Sequence, residues 1–131
     1  MHQAQKVLAI KNVTLFQGLP SSFLLALAEE AEVVELPAKQ VIFAEGDLPT
    51  GMYVLVYGKV KITRDGGVLA DLKEHDYFGE LALLDSSSRT ATATTCSNVL
   101  MLYIDKYLFD NILNNFPNVM LGIAKSIISY M

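Results

Sequence analysis

Residues 78–93 read F-G-E-L-A-L-L-D-S-S-S-R-T-A-T-A, and they hold the chain's clearest chemistry. Gly79 and Glu80 stand at an expected strand-to-helix turn, and Arg89 follows nine residues after Glu80. Arg89 opens an alternating run of small and β-branched residues, Thr90-Ala91-Thr92-Ala93-Thr94. This pattern suits an anion cradle. Glycine lets the backbone approach a ligand and adopts positive φ at little cost. Leu81 and Ala82 would present main-chain N–H groups at a helix start, where an anion is favoured. Arg89 supplies a planar fork that grips a phosphate through two parallel bonds. Glu80 repels a phosphate, so a carboxylate fits here only by accepting a hydrogen bond from a nearby hydroxyl, such as a sugar 2′-OH. The competing reading is a plain Glu80–Arg89 salt bridge.

The wider charge pattern makes Arg89 conspicuous. The net charge is −4, which argues against a surface that grips nucleic acid directly. Between Lys73 and Lys106, Arg89 is the only Lys or Arg. An acidic chain that binds an anion must use a local, preorganised site. Other chemistries find little support. The two histidines, His2 and His75, are far apart and too few for a metal-binding β-barrel site. Cys96 stands alone, which excludes an internal disulfide and a cysteine zinc cluster, and it reads as a small buried side chain. No G-x-S-x-G elbow is present, so no catalytic residue and no metal ligand is expected. His75, between Glu74 and Asp76, reads as a solvated loop residue, and Ser86-Ser87-Ser88 as a loop.

The elements that must position these residues fall into three zones of one domain, 1–131. Hydrophobic residues make up 52% and charged residues 18%, enough for a real core in a chain of 131 residues. Residues 1–31 are expected to be helical, with a break at Leu15-Phe16-Gln17-Gly18-Leu19-Pro20 and Ser21 or Ser22 capping the run Phe23-Leu24-Leu25-Ala26-Leu27-Ala28. Residues 32–104 read as β. Strand-like runs recur at 33–36, 41–43, 52–57, 59–63, 68–72, 90–95 and 99–104, separated by Gly- and Pro-rich turns. Asp65-Gly66 marks a hairpin. Many short strands of this kind suggest a sandwich, jelly roll or barrel. Residues 105–131 return to helix, with Asp105 capping 106–114, a break at Phe116-Pro117, and a second helix from 118 to about 130. No apolar run approaches the ~20 residues of a membrane span, and the N-terminus has no signal-peptide pattern. A reduced, cytoplasmic compartment is the expectation.

At 78–91 the chain closely resembles the cyclic nucleotide-binding domain family, whose phosphate-binding cassette reads F-G-E-(L/I)-(A/S)-L-(L/M), a spacer, then P-R-(T/A/S)-A. Val41-Ile42-Phe43-Ala44-Glu45-Gly46-Asp47 and the run 52–60 are similar to the family's early β-roll signature. The resemblance covers about residues 15–115. Two positions depart from it: Ser88 stands where the family usually has Pro, and His75 where it usually has Gly.

The resemblance implies a mainly β fold, a double-stranded β-helix or jelly roll (β-roll) flanked by N- and C-terminal helices, with the cassette at 78–92. It implies a ligand, cAMP or cGMP, and no other cofactor. Gly79, Glu80, Leu81, Ala82, Arg89, Thr90 and Ala91 are the expected cyclic nucleotide-binding residues. Arg89 and the N–H groups of Leu81, Ala82 and Ala91 would hold the cyclic phosphate, and Glu80 would accept the ribose 2′-OH. Thr90 would lie beside the phosphate and base; its competing reading is an ordinary strand residue. The domain would act as a regulatory sensor that moves its C-terminal helices, with a lid residue sought among Ile127, Ile128, Tyr130 and Met131. The expected partner is an effector domain or protein outside this chain, the sequence reading as one domain of a larger protein or a stand-alone module; a homodimer is compatible with this. The alternative is a protein-interaction module of the same fold without a ligand, for which Ser88 is the sequence reason. A small-molecule enzyme on the same scaffold is the third and least supported class.

Overall fold

The computed structural model describes residues 1–83, 86–119 and 121–122. Two helices lead the chain, α1 (Gln3–Lys11) and α2 (Ser21–Glu30), with a 3-10 turn at Thr14–Phe16 between them. Eight strands follow: β1 (Glu32–Leu36), β2 (Val41–Phe43), β3 (Gly51–Tyr57), β4 (Val60–Arg64), β5 (Gly67–Leu72), β6 (Tyr77–Phe78), β7 (Thr92–Thr95) and β8 (Val99–Asp105). A 3-10 turn at Glu80–Leu83 lies between β6 and β7, and α3 (Lys106–Leu113) follows β8.

The strands form two four-stranded sheets, ordered β1-β8-β3-β6 and β2-β7-β4-β5, and every pairing is antiparallel. The chain passes repeatedly from one sheet to the other, which gives the expected jelly roll. The central strands of the first sheet, β3 and β8, are buried on both faces, and their sequences show it. β8 is a nearly unbroken apolar run because Leu102 and Ile104 pack on the helices while Val99 and Met101 face the roll interior. β3 divides the same way, with Met52 and Val54 toward the helices and Tyr53 and Leu55 toward the interior. The Asp65-Gly66 hairpin is present, both residues having positive φ (52° and 81°) as a tight primed turn requires.

Local physics accounts for the differences from expectation. Asp105 caps α3, its Oδ1 accepting from the N–H groups of Tyr107 (2.8 Å) and Leu108 (3.3 Å). Neither Ser21 nor Ser22 caps α2. Pro20 is the N-cap and Ser21 is already the first helical residue. β6 was not foreseen, because two residues are too few for alternation to register. The expected strand 90–95 begins only at Thr92, leaving Thr90 and Ala91 in a bend. His75 is exposed, as expected, but its φ is +77°. That left-handed backbone explains why glycine suits the position. The turn holds regardless, with His75 N–H donating to Leu55 O, Leu55 N–H to Asp76 O, and Lys73 N–H to the Asp76 carboxylate. The second C-terminal helix begins within the described residues, Val119, Leu121 and Gly122 being helical. The lid candidates Ile127, Ile128, Tyr130 and Met131 lie outside the described residues.

Candidate functional site

The two ends of the 78–91 segment close on one cavity of about 240 Å³. Gly79, Glu80, Leu81 and Ala82 line one side, Arg89, Thr90 and Ala91 the other, with Phe43, Ile62 and Phe78 contributing apolar surface. All seven sequence-predicted site residues therefore line it. The geometry of each follows from the elements that hold it.

Gly79 has φ +75°, which turns the chain sharply out of β6. A Cβ at this position would lie 2.8 Å from Arg89 Nη1, so only glycine lets the guanidinium come this close. Arg89 is half-buried. Its Nη1 donates to the Gly79 carbonyl at 3.2 Å and its Nη2 to the Gly51 carbonyl at 2.7 Å. Its Nε is buried and has no hydrogen-bond partner among the described residues. The guanidinium carbon stands 4.1 Å from the centre of the Phe43 ring. The backbone of Arg89 is clamped as well: its N–H donates to Asp47 O and its carbonyl accepts from Gly46 N–H, both at 2.8 Å. The charged head is thus held by two main-chain carbonyls and an aromatic face, not by the carboxylate of Glu80.

Electrostatics agree with the geometry. Burial lowers the Arg89 pKa, and the neighbouring Tyr53, Tyr103, Glu80 and Asp47 oppose that shift. Tyr53 and Tyr103 are pushed up, chiefly by burial. A partly desolvated cation bonded to neutral carbonyls is a ready receiver for an anion, because an incoming negative charge relieves the cost of burial.

Glu80 opens the 3-10 turn at Glu80–Leu83 and faces the cavity rim. Leu81 is exposed and Ala82 buried. The expectation of an open N–H at Ala82 needs correction, since that group donates to Gly79 O at 3.1 Å. A 3-10 turn bonds each N–H three residues back, and this consumes a donor that a helix start would leave open. Thr90 is exposed, and its carbonyl accepts from Arg64 Nε at 3.0 Å.

Sequence reasoning missed three contributors. Gly51 was read as a turn residue, yet it begins β3 and supplies a carbonyl to Arg89; a Cβ there would collide with the Ile104 carbonyl. Phe43 had no role beyond its strand. Arg64 fell just outside the expected strand 59–63, with no sign that it would reach Thr90. None of the three lies near Arg89 in sequence, so no local pattern could reveal them. Among the described residues no group of three His, Cys, Asp or Glu could hold a metal ion, and no helix is long and apolar enough to cross a membrane.

Comparison with known proteins bears on the same residues. The family model described as "Cyclic nucleotide-binding domain" matches residues 33–116. The chain is 36% identical over 97 residues to a CRP-like cAMP-activated global transcriptional regulator of Mycobacterium tuberculosis, covering 70% of this chain and 43% of that protein. It is 31% identical over 112 residues to a cAMP-dependent protein kinase regulatory subunit of Eremothecium gossypii, covering 85% of this chain and 24% of the relative. The chain thus spans less than half the length of either. Among solved structures, the N-terminal domain of a transcriptional regulator from Streptomyces coelicolor A3(2) superposes with a TM-score of 0.85 at 29% identity, over 93% of this chain and 91% of that one.

Proposed function

Since this chain belongs to the cyclic nucleotide-binding domain family, we propose that it binds cAMP or cGMP in the cavity beside Arg89 as a regulatory sensor. One observation carries the reading. Arg89 is half-buried at the wall of a cavity built from both ends of the 78–91 segment, and among the described residues its guanidinium donates to carbonyl oxygens only. Arg89 takes the cyclic phosphate on guanidinium N–H groups that its two carbonyl bonds leave open. The N–H groups of Leu81 and Ala91 complete the cradle, and that of Ala82 joins by leaving the Gly79 carbonyl. Glu80 accepts the ribose 2′-OH. The apolar surface of Ile62 and Phe78 receives the uncharged part of the ligand. The domain itself performs no catalysis.

A mechanical link supports the sensor role. Lys106, the first residue of α3, donates from Nζ to the Leu83 carbonyl at 2.9 Å. The Leu83 side chain packs in the same core as Phe109 and Leu113 of α3. A ligand that tightens the 80–83 turn therefore pulls on α3 through one hydrogen bond and one packed side chain. The change is a population shift of an element with two positions. The output goes to an effector domain or partner outside this chain, within the cytoplasm.

Titration calorimetry on Arg89→Lys tests the reading. Lysine keeps the charge and loses the fork, so affinity should fall by up to about a hundredfold, the worth of a charged hydrogen bond at ~1.5–3 kcal/mol. Thermal unfolding should still report a folded variant. Unchanged affinity in a folded Arg89→Lys protein removes Arg89 as the phosphate anchor.

A further inference from the structure

We propose that Phe43 is a positioning residue for Arg89, an aromatic support that holds the guanidinium in place while its N–H donors take on an anion. The inference rests on the cyclic nucleotide reading above and extends it to a residue outside the 78–91 segment.

The argument begins with how the guanidinium is held. Its donors lie in its plane, and two of them are taken by the carbonyls of Gly79 and Gly51. Three of its five N–H groups remain, and a bidentate anion gripped by two of them competes with the carbonyls for the in-plane position of the guanidinium. A group held only by its edge would become mobile at that step, and a flexible arginine side chain would lose its preset orientation. Phe43 lies against the guanidinium as well, whose carbon stands over the ring face 4.1 Å from its centre. A cation is attracted to that face whichever partners the edge has. The buried Nε, without a partner among the described residues, gives the incoming anion a donor that is already open.

The support is itself rigid. Phe43 sits at the end of β2, its ring 6.0 Å from Phe78 and 6.2 Å from Tyr53. Tyr53 and Phe78 stack on each other at 5.3 Å. The plate is anchored in both sheets, β2 on one side and β3 with β6 on the other. A leucine at position 43 could fill similar space, but it has no face of negative potential and could not set the plane of the cation.

Two measurements test this. The first needs no ligand. In the NMR spectrum of the unliganded protein, protons of the Arg89 guanidinium should be shifted upfield by the Phe43 ring current, and Phe43→Leu should remove the shift. Ordinary chemical shifts for Arg89 in the folded wild-type protein would overturn the proposal. The second places mono-, di- and trifluorophenylalanine at position 43, which weakens the face potential stepwise with little change of shape. Affinity for cAMP and for cGMP should fall with each fluorine, by about threefold to tenfold across the series. Phe43→Tyr should restore nearly full binding. In an Arg89→Lys background the dependence should shrink, since the planar partner is gone. A flat series in a protein that binds the nucleotide rejects the proposal. A slope that persists undiminished without Arg89 also rejects it, because the ring then acts on the ligand directly. Should the wild-type chain bind neither nucleotide, the cyclic nucleotide reading fails, while the Arg89 shifts still decide whether Phe43 holds the guanidinium.

Discussion

Two aromatic clusters lie on opposite sides of the sheet that contains β3 and β8, and the clusters do opposite work. On the helix side, Phe109 of α3 packs against Phe16 at 6.3 Å and Phe23 at 6.0 Å, and Phe23 meets Phe116 at 5.4 Å. Phe16, Phe23 and Phe109 are fully buried. No charged side chain belongs to that core. On the roll side, Phe43, Tyr53, Phe78 and Tyr103 form a second group, and this one borders the cavity and carries Arg89. Similar rings thus close a dry core in one place and support a cation in the other. The first arrangement gains from removing apolar surface from water. The second spends some of that gain on keeping a cation partly desolvated and fixed, as a binding site requires. Stability and recognition are therefore separable in this molecule, and substitutions should divide along the sheet.

The largest effect is expected on the helix side. Phe109→Ala should cost about 3–5 kcal/mol of stability through the cavity it leaves. The folded fraction should keep its ligand affinity, measured by calorimetry well below the melting transition. A large affinity loss in that fraction would show that the two clusters are coupled and not separate.

On the roll side Glu80→Ala comes next. It should remove most of the preference for a cyclic nucleotide over its 2′-deoxy analogue, a charged hydrogen bond of about 1.5–3 kcal/mol. Stability should change little, and equal discrimination before and after the substitution would assign Glu80 another role.

Gly79→Ala sharpens the contrast further. The new Cβ meets Arg89 Nη1 at 2.8 Å, and the backbone there has φ +75°. The left-handed conformation alone costs an alanine about 1–2 kcal/mol. Affinity should fall by more than that strain predicts, because the guanidinium must also move. If calorimetry and denaturant unfolding show equal losses, the Gly79–Arg89 contact is structural only.

The smallest effect belongs to Thr90. Only its main chain is tied down, through Arg64, and its side chain is exposed at the cavity edge. Thr90→Ala should cost cGMP about 0.5–1.5 kcal/mol and cAMP less, because syn guanine offers a 2-amino group to this hydroxyl. Equal losses for the two ligands would leave Thr90 without a recognition role.

Much of this was legible in the chain itself. Alternation, turn residues and the Asp105 cap are local signals, governed by contacts within a few residues, and they located seven of the strand regions and α3. The spacing of Gly79, Glu80 and Arg89 marked the site for the same reason, since the residues of a cradle lie on one short segment. The details that failed were decided by neighbours. The Ala82 N–H was consumed by a tight turn, the strand at 92–95 lost its first two residues to the bend beside Arg89, and β6 exists only because β3 pairs with it.

Residue types and local spacing therefore pointed to the segment whose two ends line the cavity, the proposed anion cradle. Tertiary structure alone decided how Arg89 is held. Apart from Gly79, its partners come from positions 43, 46, 47 and 51, some 40 residues earlier, and they reach it only when the two sheets close over each other. Sequence periodicity carries no information about contacts across a sandwich, because the closure depends on packing between sheets and not on any pattern along one of them.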